Sequence, residues 1–144
     1  MTQSIRTVDN DGTIRWKLPD ETLHRDSGPA IERPDGTKEW FHYGRFHRED
    51  GPAVEYSDGA KEWYLNGDSH REDGPAVERP GALIWYRHGL IHREDGPAVE
   101  YFDGTKEWYI NDVKIEELSQ ITPELELKYP EFCKLFPVQY IMSR

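Results

Sequence analysis

The chain has 144 residues, 35% hydrophobic and 32% charged, with a formal net charge of −10. That composition is lean for a thick globular core and suits one thin domain, such as an extended sheet with a single buried face. The acidic balance disfavours direct binding to nucleic-acid phosphates or anionic membranes, and favours basic partners or proteins that normally hold nucleic acid.

Met1–Asn10 lacks the basic start and apolar stretch of a secretory signal, and no run nears the roughly 18 apolar residues of a membrane span. The single cysteine, Cys133, gives neither an internal disulfide nor a cysteine-type zinc site. These features together predict a reducing cytoplasm. Asp11-Gly12-Thr13-Ile14-Arg15-Trp16 then opens a pattern that recurs to Asn111. His24, His47, His70 and His92 are spaced 23, 23 and 22 residues apart, and Trp16, Trp40, Trp63, Trp85 and Trp108 are spaced 24, 23, 22 and 23 apart. A fixed period of this size marks a tandem repeat.

The second full copy runs from His47 to Gly67. Pro52–Tyr56 and Lys61–Leu65 carry β-branched and aromatic residues, with Asp58-Gly59 between them and Asn66-Gly67 after them. Asp-Gly between alternating runs predicts a two-residue type I′ hairpin. In that register Tyr56 faces Lys61, Glu55 faces Glu62, Val54 faces Trp63 and Ala53 faces Tyr64. Val54, Tyr56, Lys61, Trp63 and Leu65 then share a buried face, and Ala53, Glu55, Glu62 and Tyr64 a wet one. Opposed glutamates repel; Arg25, Arg48, Arg71 and Arg93 are the cations expected to cover them. A lone hairpin is marginal in water, so stability is expected from stacking of copies.

After Asp112 takes the place of the expected glycine, the repeat stops. Thr122-Pro123-Glu124 resembles a helix start, apolar residues follow, and Pro130 and Pro137 break the segment. The tail is expected to cover the last hairpin or to bind a partner. The prediction is a mostly β chain: a single-layer twisted antiparallel sheet of about five stacked β-hairpin repeats over 1–115, with a short helical C-terminal cap over 116–144 in the same domain.

Asp58–Gly67 and Asp103–Asn111 resemble MORN-type repeats, which share the period, the aromatic second strand, the Asn-Gly turn and the following histidine. The looser variant of YwqK-like, antitoxin-type proteins is the nearer likeness, and the His-Arg-Glu-Asp-Gly-Pro-Ala block resembles repeats of phage and bacterial proteins. The resemblance covers roughly residues 9–115. It implies a stacked-hairpin sheet and a protein-interaction role, and no chemistry or cofactor.

The block around each histidine holds a base, a cation and acids, as a catalytic site would. It occurs four times, whereas chemistry needs one pocket. His24, His47, His70, His92 and the five tryptophans are therefore expected to be structural. No catalytic or metal site is expected: successive histidines lie roughly 10 Å apart if each copy adds two strands, too far to share a zinc ion. No phosphate loop or nucleophile elbow is present.

Function is expected where the beat fails. Arg33, Tyr56, Arg79 and Tyr101 alternate at one position, and arginine beside tyrosine suits an anionic or aromatic ligand. The third copy is one residue shorter and carries Leu83-Ile84 before Trp85, then Arg87 and His88. The first copy carries Phe41, Tyr43 and Phe46. The expected function is a non-enzymatic, acidic interaction module that inhibits a host-defence or toxin protein, as a phage-encoded inhibitor (then in the host cytoplasm) or an antitoxin-like protein would. A binder of a nucleotide-like anion, and a nucleic-acid mimic built on the rows Glu32, Glu55, Glu78, Glu100 and Glu39, Glu62, Glu107, are the alternatives. A homodimer through the sheet edge or the tail is a further expectation.

Overall fold

The computed structural model describes residues 3–142, with side chains through Phe136. Met1, Thr2, Ser143, Arg144 and the side chains beyond Phe136 lie outside the described set; the break expected at Pro137 does not occur, since one helix runs from Pro130 to Met142. An opening hairpin pairs β1 (Ile5–Val8) with β2 (Ile14–Lys17). Unit one contains β3 (Ile31–Glu32), β4 (Lys38–Glu39), β5 (Phe41–His42) and β6 (Arg45–Phe46). Unit two contains β7 (Val54–Glu55), β8 (Lys61–Glu62), β9 (Tyr64–Leu65) and β10 (Asp68–Ser69). Unit three contains β11 (Val77–Arg79), β12 (Ala82–Ile84), β13 (Tyr86–Arg87) and β14 (Leu90–Ile91). Unit four contains β15 (Val99–Tyr101), β16 (Lys106–Ile110) and β17 (Val113–Ile115).

Strands β1-β2-β3-β4-β7-β8-β11-β12-β15-β16-β17 form one 11-stranded antiparallel sheet. The pairs β5-β6, β9-β10 and β13-β14 form two-stranded ribbons of their own. The chain is thus the mostly β stack of hairpins that the repeat predicts, except that each unit makes two hairpins.

The first turn departs from expectation. Tyr56 N–H donates to Ala60 O at 2.9 Å, Gly59 N–H to Tyr56 O at 3.0 Å, and Ala60 N–H to Asp58 Oδ1 at 2.9 Å. Gly59 has φ +93°, whereas Asp58 is not in the left-handed region. This is a three-residue loop held by the aspartate side chain, not a two-residue I′ turn. The I′ pair is Asn66 (φ 51°) with Gly67 (φ 86°), which closes the second hairpin. In unit three Pro80-Gly81 joins Arg79 directly to Ala82, which accounts for the missing residue.

The extra loop residue moves the register by one. Glu55 faces Lys61, and Val54 faces Glu62. The expected faces are therefore wrong: Val54 and Tyr56 share a face with Glu62, while Trp63 lies with Ala53, Glu55 and Lys61. Across one face runs Glu32, Lys38, Glu55, Lys61, Glu78, Leu83, Glu100, Lys106. Across the other runs Ile31, Glu39, Val54, Glu62, Val77, Ile84, Val99, Glu107. Opposite charges alternate on the first face and apolar residues alternate with glutamate on the second, so like charges do not meet.

Four of the five tryptophans tie their strand to two neighbouring segments. Trp63 N–H donates to Ala76 O at 2.8 Å and its carbonyl accepts from His70 N–H at 3.1 Å. Trp16, Trp40 and Trp85 repeat this with Ala30/His24, Ala53/His47 and Ala98/His92. The paired alanines have no exposed surface, because successive units leave no room above them.

Asp112 does not end the pattern. Its N–H donates to Ile91 O at 2.9 Å, as Gly67 N–H does to Phe46 O, and its carboxylate also accepts Ile91 N–H at 2.6 Å. A 3-10 turn over Leu118–Gln120 leads to α1 (Pro123–Lys128) and α2 (Pro130–Met142). Thr122 Oγ1 accepts Leu125 N–H at 3.1 Å and so caps α1. Pro130 opens α2. Phe132 and Phe136 stand edge-on to Trp108 at 5.5 and 5.6 Å, in a cluster with Ile110, Ile115 and Cys133. Burial raises the Cys133 thiol pKa. The tail thus covers the last hairpin. Among the described residues no helix is long and apolar enough to cross a membrane.

Phe132 is completely buried on Trp108. Phe132→Ala should destabilise the fold by about 3–5 kcal/mol. A urea titration followed by tryptophan fluorescence measures this; an unchanged midpoint would mean that the tail is dispensable.

Candidate functional site

The loop before each unit supplies the residues that look catalytic. Arg48 Cζ lies 3.9 Å from the centre of the Trp40 ring. Its Nη1 donates to Pro52 O at 3.0 Å and Glu55 Oε1 at 3.1 Å, and its Nε to Asp50 Oδ1 at 3.2 Å. Arg71 and Arg93 make the same set with Trp63, Pro75, Glu78, Asp73 and with Trp85, Pro97, Glu100, Asp95. In the first loop Ser27 replaces the aspartate, and Arg25 keeps Trp16 and Pro29 O. A Cβ built on Gly51 or Gly74 would meet the guanidinium carbon at 3.0 Å, and one on Gly96 at 2.8 Å. The spacing Arg-x-x-Gly-Pro-Ala is therefore a packing rule: the arginine sits against the glycine and over the tryptophan. Glu55, Glu78 and Glu100 receive the cation that the sequence assigned to them.

The histidines form a second ladder. His24 Nδ1 accepts Tyr43 N–H at 3.0 Å, and His47, His70 and His92 accept from Asn66, His88 and Asn111 at 3.0, 2.8 and 3.1 Å. Since Nδ1 accepts, the neutral ring carries its hydrogen on Nε2. Nε2 faces the acid two residues on, Asp26 at 3.0 Å and Glu72 at 2.7 Å. The bond from His70 holds the Glu72 carboxyl below its ordinary pKa, with Arg87 assisting.

The folding of units one and three brings second histidines to these sites, which the spacing of the repeated histidines alone does not reveal. His24, Asp26 and His42, and His70, Glu72 and His88, each place ligand-type atoms within 4.8 Å of one another. A metal on Nε2 of His24 or His70 would require the ring hydrogen on Nδ1, facing a backbone N–H that already points there. The bond joining the units thus competes with coordination.

The face opposite the arginines holds the alternating arginines and tyrosines. Arg33 Nε donates to Glu39 Oε2 at 2.8 Å. Burial, then Glu62, raises the Tyr56 pKa and pushes Tyr64 up to about 12; the Tyr64 hydroxyl donates to Glu62 at 3.0 Å. The Tyr101 hydroxyl is the first cause holding Glu107 below its ordinary value; Lys114, 3.0 Å away, adds to it. In unit three the corresponding residue is Ile84. Among the described residues the Arg79 side chain makes no ion pair or hydrogen bond, although its charge acts on Tyr101.

The other expected contacts are partly absorbed by the fold. Phe41, Phe46 and Tyr64 stack in succession, at 4.4 and 5.0 Å. Tyr43 lies over His24 at 4.2 Å yet remains 63% exposed. Arg87 bridges Glu94 at 3.4 Å and Glu72 at 3.6 Å, and His88 stacks on His70 at 4.3 Å. Leu83 and Ile84 point to opposite faces. Arg79, Ile84 and Tyr101 come together, while Phe41, Phe46, Arg87 and His88 lie elsewhere. Sequence reasoning overlooked Phe102, 70% exposed beside Tyr101; an aromatic residue at a turn was its signal. It also overlooked His42, whose signal was a histidine outside the period.

No family model, curated protein or solved structure matches the chain.

Two measurements follow from these bonds. The Nδ1 contacts predict Nε2–H tautomers for His24 and His70 in 15N spectra near neutral pH, and no rise in melting temperature with equimolar Zn2+. A metal-dependent rise would show that coordination overcomes the inter-unit bond. Glu107, whose pKa is depressed, contributes stability fully above its unfolded value of about 4.3 and loses it as pH falls through the lower folded value. Glu107→Gln should therefore flatten the acid side of the stability profile, as read by urea unfolding at stepped pH; a parallel profile would refute it.

Proposed function

We propose that the chain is a non-enzymatic, MORN-like scaffold that binds a protein partner and blocks it, in the manner of an inhibitor or antitoxin. The observation that supports this best is the use of the histidine–arginine–acid loops. Their side chains bond to neighbouring units in the same way from loop to loop, which leaves them engaged in holding the array. Among the departures from the repeat, Phe41, Phe46 and Arg87 are engaged within the fold, whereas Arg79, Tyr101 and Phe102 are exposed.

The alternatives have weaker support. A nucleotide-like anion held by paired arginines would need Arg33 and Arg79 alike, and Arg33 is already matched by Glu39. Nucleic-acid mimicry would need rows of open carboxylates, and Glu55, Glu78 and Glu100 are each paired with an arginine.

The test is affinity capture from host lysate, then reconstitution of a purified stoichiometric complex in which the captured protein loses activity. A thermal-shift screen against nucleotides runs in parallel. The scaffold reading predicts a complex and no nucleotide shift. A nucleotide shift without a protein complex would replace it with the small-ligand reading.

A further inference from the structure

We propose that the surface formed by Arg79, Ile84, Tyr101 and Phe102 docks a protein segment presenting a carboxylate beside an apolar side chain. This rests on the scaffold reading and names the surface and the kind of partner.

The four units act as internal controls. Along their shared row, Val54, Val77 and Val99 are buried and alternate with Glu39, Glu62 and Glu107. Ile84 takes the place of the remaining glutamate, so Val77, Ile84 and Val99 lie side by side across three strands. The neighbouring row places Arg79 and Tyr101 on either side of Ala82, which is buried and rises little between them. Phe102 stands at the adjoining turn, where its N–H donates to Gly81 O at 3.0 Å.

Arg33 occupies the matching place in unit one and receives Glu39 at 2.8 Å. Replacement of that glutamate by Ile84 leaves Arg79 without its counterpart. The apolar residue and the open cation are thus produced by one substitution in the pattern. Tyr101 is 38% and Phe102 70% exposed, so both are accessible to a partner.

Charge complementarity selects the occupant. An incoming carboxylate would fill the role that Glu39 plays for Arg33, and guanidinium–carboxylate pairing is strong and directional. Ile84, Tyr101 and Phe102 would cover an adjoining apolar side chain; arginine and tyrosine are characteristic centres of protein interfaces. A dianionic phosphate suits the place less well, because one arginine faces it within an acidic chain and Glu107 lies beside Tyr101.

The test selects a random-peptide display library on the full chain. Retained peptides should carry Asp or Glu next to Phe, Trp, Leu or Ile. Binding of one fluorescent selected peptide is then measured by anisotropy. Ile84→Glu restores the residue of the other units and is checked for an unchanged melt; Arg79→Gln is the second variant, should the first fail to fold. Each should weaken binding about tenfold or more, while Arg33→Gln should change it less than about twofold. Equal binding to wild type and both surface variants would overturn this surface and leave the scaffold reading standing. Absence of any retained peptide would overturn both. Displacement by inorganic phosphate as effective as by unlabelled peptide would assign Arg79 to a free anion and overturn the protein-segment proposal.

Discussion

Each seam between units is closed by an arginine that lies over the tryptophan of one unit and reaches the loop and strand of the next. A guanidinium over an indole contributes about 0.5–2 kcal/mol, depending on how far it is desolvated. Here its side chain is 20–23% exposed at Arg48, Arg71 and Arg93, and it also bonds a proline carbonyl and a glutamate. The contact constrains the sequence on every side. Glycine gives the arginine room, since an added Cβ would press on the guanidinium carbon at 3.0 Å at Gly51 and Gly74 and at 2.8 Å at Gly96. A glutamate on the strand meets the charge of Arg48, Arg71 and Arg93. At the C-terminal end Phe132 and Phe136 pack edge-on against Trp108.

The second constraint is register. With the turn closed by Asp58, every Glu-Lys pair falls across the same face, and that row alternates in charge from Glu32 to Glu78. A chain with 32% charged residues can thus form a long thin sheet without repulsion between facing strands. Stability in such an array is a sum of unit and seam contributions. A defect in one unit is tolerated if its seams survive. Unit three shows this: it loses a turn residue and both charges of the Lys-Glu pair, yet keeps its arginine, histidine and tryptophan bonds.

The repeat, its β character and the helical tail were legible in the sequence because they rest on period, turn residues and a capping threonine. The register was not. Asp-Gly is compatible with a two- or a three-residue loop, and the choice depends on whether Asp58 Oδ1 captures Ala60 N–H, a bond that no pattern displays. One residue of error exchanged the faces of Trp63 and Glu62. The meeting of His24 with His42 was hidden for a related reason: the two lie on different hairpins of successive segments, and the spacing of repeated histidines describes only one of them. Arg33 and Arg79 looked equivalent because their diagonal neighbours on the facing strand, Glu39 and Ile84, become visible only once the register is known.

The distinction between these two arginines separates scaffold from candidate site. In a repeat array, side chains needed for stacking must recur, since every seam poses the same packing problem. A residue that recurs is thereby explained, however reactive it looks. A residue that breaks the row must either cost stability or answer to something outside the chain. Ile84 costs little, because Val77 and Val99 flank it; the Arg79 side chain, deprived of a glutamate, makes no ion pair among the described residues. That imbalance, one side chain comfortable and its neighbour unmatched, is what a surface complementary to a partner requires, and it arises where two exposed aromatic residues adjoin.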